Sequence, residues 1–496
     1  MCATAPDSGD VQIDDSSESI LRRSFWTGVV DARPAALLRI ALGVLAFTDL
    51  LDRLRDFNAF YTLDGLVAGP AEGFRSLTWS LFSLTSSRGG ALALFLAGFP
   101  IALAFALGYR ARLANLLLWV FLLSLHNRNL HVCDGGDAVL QTLVFWSLFN
   151  DTAAAYSLDV RLGRRPPSAT IAAFPFRALQ IQIALIYLMT FFAKSGQGWR
   201  EGTAVYQAVS NSDWGRGFGP MLAGHPALCR VLTRATLVIE GAFPVLVFFP
   251  WRTKVARAIA IAGGLALHFG IFLTMRVGIF SEVMPLSYLV FVPSPWIDAA
   301  EAAVARLAPR WRRSPPEVVV APTRRQRLLH RAAVGAVVVQ LALIGADQVI
   351  RLARIPTPRG LLAELRLVGQ VQNWRMFAPD APRHDITWRV PGELTDGSHE
   401  ELTDVVIPEL AERGGFFYSR WHRLRNSLNA NPSDLLWPFG RYVCRRWRLH
   451  HPDRGGPRLA RFELIARVQP LLDGPAAAPF DQHHYKQSCL AADQGT

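Results

Sequence analysis

The sequence predicts a mostly α-helical, polytopic transmembrane bundle of about eight to nine helices, followed by a small C-terminal extracytoplasmic α+β domain. Three observations predict it: an apolar, charge-poor composition, apolar stretches recurring to residue 350, and a change of texture beyond residue 351. Of the 496 residues, 51% are hydrophobic and only 18% charged, with a positive mean hydropathy. A soluble domain carries about 25% charged residues. The net charge of +13 therefore reads as loop charge along a membrane, not as a nucleic-acid patch. No nucleic-acid-binding motif accompanies it, and no nucleic-acid partner is expected.

Residues 1–20 ("MCATAPDSGDVQIDDSSESI") are acidic and polar, without the basic flank and apolar core of a secretory signal. They read as a disordered tail. A transmembrane domain over 21–350 follows, with helices expected near 35–51, 90–108, 112–126, 138–150, 177–194, 231–250, 256–275, 283–294 and 332–350. Several are shorter than the roughly 20 residues a full span needs. With a cytoplasmic N-terminus, alternate loops carry Arg110 and Arg112, then Arg161, Arg164 and Arg165, then Arg252, Lys254 and Arg257. Arg306, Arg310, Arg312, Arg313, Arg324, Arg325, Arg327 and Arg331 complete the last of these loops. Every such loop is basic, as the positive-inside rule asks. The expected location is the cytoplasmic membrane, as an integral multi-pass protein, with residues 351–496 outside the cytoplasm.

In that last domain, "TWRVPGELTDGSHEELTDVVI" reads as two strands around an Asp396–Gly397 turn, and "RLARFELIARVQPL" as another. "YSRWHRLRNSLN" and "DLLWPFGRYVCRRWRLHH" have helical spacing. Cys444 and Cys489 are its two cysteines. An oxidising compartment favours a disulfide between them, free thiols being the competing reading.

The expected topology gathers polar residues at one membrane face. "SLHNRNLHVCDGGDAVL" supplies His126, Asn127, Arg128 and Asp137; Lys194 and Trp199 follow the fifth helix; Arg276 and Glu282 flank the turn after His268. Ionisable groups at membrane depth are costly and usually face a bundle interior or a wet cavity. Each also has a structural reading: Lys194 as a snorkelling anchor, His268 as a packing histidine, Arg128 and Asp137 as an ion pair closing a loop. The spacing of His131, Cys133 and Asp134 matches no zinc pattern, and no metal is expected. Nucleophile elbows, phosphate loops and C-x-x-C pairs are absent from the sequence. A desolvated lysine, however, can serve as a neutral amine base.

"LHNRNLHVCDGGD", "FFAKSGQGWREG", "LHFGIFLTMRVGIFSEVM" and "NWRMFAPDAP", in this order, resemble the HTTM family. Its members are bacterial membrane proteins similar to the transmembrane part of vitamin K-dependent γ-carboxylase. The resemblance covers about residues 20–300. It implies that Lys194, five residues before Trp199, is the base that deprotonates a reduced quinone of menaquinone or vitamin K type. It likewise implies that His268, ten residues before Gly278, is a pocket residue. The implied reaction couples quinol oxygenation to carboxylation of a glutamate side chain on a protein or peptide, releasing a quinone epoxide. Where the animal enzyme has an asparagine–histidine pair, this chain has "CDGGD", with Asp137 near that position. A competing, non-enzymatic reading is a membrane scaffold or lipid-binding protein presenting its external domain to a partner.

Overall fold

A computed structural model describes residues 19–66, 78–307, 324–411, 419–430, 433–452, 456–471 and 478–490. Most of the expected polar tail, and Arg310, Arg312 and Arg313, lie outside the described residues. Helices of eight or more residues are α1 (Arg33–Arg55), α2 (Arg88–Leu107), α3 (Ala111–Arg128), α4 (Gly135–Ser147), α5 (Ala173–Ala193), α6 (Pro226–Val247) and α7 (Thr253–Thr274). They continue with α8 (Phe280–Ser287), α9 (Ser294–Leu307), α10 (Arg324–Leu352), α11 (Arg359–Leu367), α12 (Arg420–Ala430) and α13 (Ser433–His450).

Five of these, α1, α2, α5, α7 and the Arg331–Leu352 part of α10, are long and apolar enough to cross a membrane. This corrects the expected eight or nine. At 1.5 Å per residue the 13 residues of α4 reach only about 20 Å, short of a core of roughly 30 Å. The expected 283–294 helix breaks earlier: α8 holds Pro285 and gives way to a 3-10 turn at Tyr288–Phe291. Helix α3 ends on His126, Asn127 and Arg128, which dilute its apolar run. Helix α6 is 22 residues long, but Arg230, Arg234 and Glu240 fall within any 18-residue stretch of it. With five crossings, the alternation of basic loops no longer sets the sidedness of the protein.

Small residues let the helices approach. A Cβ at Gly43 of α1 would lie 2.7 Å from Ala106 of α2, and one at Gly98 of α2 would lie 2.3 Å from the Phe121 ring of α3. Such close approach replaces the hydrophobic drive that lipid cannot supply between helices. Inside the bundle a glutamine network satisfies its own polar groups. Gln182 and Gln372 exchange amide hydrogen bonds of 2.9 and 3.0 Å, Trp146 donates to Gln182 Oε1, and Trp374 donates to Gln372 Oε1. The "QVQNW" segment at 370–374 is thereby threaded against α5, and Gln348 of α10 donates to the Gln372 carbonyl.

The strands are β1 (Val29–Asp31), β2 (Thr170–Ala172), β3 (His384–Arg389), β4 (Pro391–Leu394), β5 (His399–Glu401), β6 (Leu459–Pro470) and β7 (Phe480–Ser488). β1 and β2 form a two-stranded ribbon beside the N-terminus of α1; the other five form one antiparallel sheet around β6. The Asp396–Gly397 turn joins β4 to β5, with Gly397 at φ +85°. "TWR" forms a strand of its own, β3, and "LTDV" is a helical turn rather than strand. Strand β7 escapes the hydrophobic pattern because most of its side chains are exposed or half-exposed. Cys444 of α13 and Cys489 after β7 are joined by a disulfide, Cα–Cα 5.4 Å, whereas Cys133 and Cys229 are free.

Candidate functional site

Helix α5 stops at Lys194, and two contacts with the 377–380 segment fix the turn after it. Gly196 N–H donates to the Pro379 carbonyl at 2.9 Å, and Gly198 N–H to Asp380 Oδ1 at 2.7 Å. Trp199 Nε1 donates to the Phe377 carbonyl at 2.7 Å, so the indole is held from its polar edge. Its face lies 4.9 Å from Lys194 Nζ, within cation–π reach.

Lys194 does not reach outward. Its ammonium donates to both carboxylate oxygens of Glu240 on α6, at 2.5 and 2.8 Å, and the two side chains are 4% and 9% exposed. The snorkelling reading is therefore corrected: the group is enclosed by protein and paired. Glu240 sits in an apolar run and went unread in the sequence because only the fold brings α6 beside the end of α5.

The hydroxyl of Tyr187, two turns before Lys194, lies 3.0 Å from His268 Nε2 and is hydrogen-bonded to the Tyr288 hydroxyl. Phe243 stacks on Tyr187 at 4.1 Å, and Phe280 meets His268 edge-on at 5.2 Å. Gly264 admits Tyr288, whose hydroxyl would lie 2.6 Å from a Cβ there. Among the described residues, His268 Nδ1 is buried with no hydrogen-bond partner. An orphaned buried nitrogen beside a buried ion pair is uncommon in a satisfied core.

The other expected site residues take other partners. His126 Nδ1 bonds Gln141 Oε1 at 2.8 Å, Asn127 donates to the Trp79 carbonyl, and Arg128 donates to the Tyr61 carbonyl. Arg276 donates to the carbonyls of Ser212 and Gly215, and Glu282 lies in the first turn of α8. Asp137 does not pair with Arg128. It joins a buried ring of four charges with Asp49, Arg53 and Arg420, the last from the C-terminal domain. Arg53 Nε donates to Asp49 at 2.6 Å and Arg420 to Asp137 at 2.6 Å, while Arg53–Asp137 and Arg420–Asp49 close the ring. Tyr61 accepts a further bond from Arg53. Sequence reading missed three of the four members, which are 371 residues apart at the extremes.

Behind this ring, His422 of α12 lies 5.2 Å from the Trp214 ring. Burial, with Arg425, Arg276 and Arg423 around it, pushes its pKa well below the usual histidine value. Among the described residues, no group of three or more His, Cys, Asp or Glu is placed to hold a metal ion.

The fold defines a multi-pass helical membrane protein with a C-terminal region carrying a β-sheet, Arg420 of that region closing a buried ring of charges in the bundle. Residues 29–296, more than half of the chain, match the family model described as HTTM domain, and the chain belongs to that family. No curated protein and no solved structure matches it.

Proposed function

We propose that this protein is a membrane-embedded, carboxylase-type enzyme that takes a proton from a reduced quinone at Lys194. The supporting observation is the enclosed Lys194–Glu240 pair beside the orphaned Nδ1 of His268. An ion pair serving only packing could be replaced by apolar side chains at no loss of stability. Here the pair instead adjoins an aromatic wall and an open hydrogen-bond position.

The residues fit a hydroquinone ring in kind. Trp199 and Phe243 are aromatic, already stacked against Lys194 and Tyr187; His268 Nδ1 has an unused polar contact among the described residues, and Lys194 supplies a nitrogen. When bound, the quinol would supply an acidic hydroxyl and, oxidised by dioxygen to its epoxide, the base that takes the γ-proton of a glutamate side chain, whose carbanion adds carbon dioxide. Glu240 takes a proton from the ammonium, leaving a neutral amine able to accept the next one; low local polarity makes both forms of the pair accessible. The Tyr187 and Tyr288 hydroxyls hold His268 in one orientation from its Nε2 side. Asp137 takes no part, because Arg53 and Arg420 hold it.

Mass spectrometry of lipids co-purifying with the full-length protein tests this. Wild type should retain a quinone of menaquinone or vitamin K type, and His268→Ala and Lys194→Ala should retain less. Its absence from all three contradicts the quinol reading. One observation favours the alternative of a non-enzymatic scaffold: Arg420 bolts the C-terminal domain onto the bundle, as a platform for a partner would require. That reading expects Lys194→Ala to be silent.

A further inference from the structure

A cleft of about 780 Å³ opens between the end of α5, the end of α10 and the 353–379 segment. It does not hold the Lys194 side chain, although Ala193 and Ser195 line it. One wall is apolar: Phe192, Leu352 and Ile355 are 52%, 41% and 58% exposed and continue the surfaces of two membrane-spanning helices. The rim is cationic, with Arg351, Arg354 and Arg375.

The charges there are unevenly matched. Arg351 Nε is paired with Asp347 at 2.7 Å, and the other oxygen of Asp347 accepts from the Thr357 hydroxyl. Arg354 and Arg375 have no carboxylate partner among the described residues. Arg375 is steered to the rim by a bond from Nη2 to the Arg351 carbonyl, 3.3 Å.

Arg354 also carries a backbone signature. Helix α10 ends with Ile355 N–H bonding the Ile350 carbonyl and Arg354 N–H bonding the Arg351 carbonyl, both at 3.1 Å. This pattern places its closing residue in the left-handed region, and Arg354 has φ +60°. Glycine adopts that conformation without strain and is the usual residue there. An arginine there presents a guanidinium at the mouth of the cleft where the usual glycine would present none.

We propose that this cleft binds an anionic phospholipid, its acyl chain along Phe192, Leu352 and Ile355 and its phosphate between Arg354 and Arg375. The site lies where a spanning helix ends, the depth at which headgroups meet basic side chains. It requires neither quinone chemistry nor Lys194, and its failure would leave the function proposed above standing.

Full-length protein in phosphatidylcholine nanodiscs, titrated with dioctanoyl phosphatidylglycerol and followed by native mass spectrometry, tests it. Removing two surface guanidinium groups should weaken binding about 30-fold in R354A/R375A, at unchanged thermal stability. Ile355→Asn should weaken the phosphatidylglycerol complex and leave glycerol phosphate binding unaltered. Equal affinity for dioctanoyl phosphatidylcholine, or an unchanged double variant, overturns the proposal. Glycerol phosphate binding as tightly as the lipid also overturns it, showing a free-anion site instead.

Discussion

Two buried charge clusters lie near the same end of the bundle and are built on opposite plans. The ring of Asp49, Arg53, Asp137 and Arg420 is closed: two cations and two anions, each bonded to two others, with side chains at most 1% exposed. Among the described residues, Lys194 and Glu240 form a lone ion pair, and His268 Nδ1 is buried without a hydrogen-bond partner. Under the function proposed above, the first arrangement keeps its protons and the second exchanges one. A closed ring suits joining two domains, and an isolated acid–base pair suits moving a proton.

Variants can break that contrast. Arg420→Met leaves two buried carboxylates sharing one guanidinium, and should cost about 3–5 kcal/mol in thermal unfolding of the detergent-solubilised protein. A loss below about 1 kcal/mol would mean that the ring does not hold the domains together. Reducing the Cys444–Cys489 disulfide, which spans 45 residues, should lower stability by about 2–4 kcal/mol, read as a drop in the unfolding midpoint with reductant.

Glu240→Gln should cost less than the ring substitution, about 1–3 kcal/mol, because the lone lysine can shed its proton instead of remaining a buried charge. A cost equal to that of Arg420→Met would erase the distinction between the clusters.

The smallest effect belongs to His422. Its folded-state pKa lies below the unfolded value of about 6.5, so only the unfolded chain gains this proton as pH falls below 6.5. Stability is complete above that pH and should fall by roughly 1.4 kcal/mol per pH unit below it, down to the folded pKa. Unfolding midpoints between pH 7.5 and 5.5 should show a slope smaller by about this amount in His422→Gln than in wild type.

The resemblance singled out the residues on which the proposed function rests. Lys194 and Trp199 stand five apart after an apolar helix, and His268 stands ten before Gly278. The partners that define their states were illegible. Glu240 is one acid in an apolar run; Asp49 and Arg53 pair within α1, but Asp137 and Arg420 join them only in the folded chain. The crossing count was overestimated because α4 and α8 are too short to span and α3 and α6 carry polar residues within their apolar runs.

The central claim is that Lys194 works as a base while the ring is structural. Oxidation of menaquinol by purified wild type and Lys194→Met, matched for folding by their unfolding midpoints, tests it most directly. The expected result is quinol consumption by wild type and a loss of about 10²–10⁴-fold in the variant. Full turnover by a correctly folded Lys194→Met protein would contradict it.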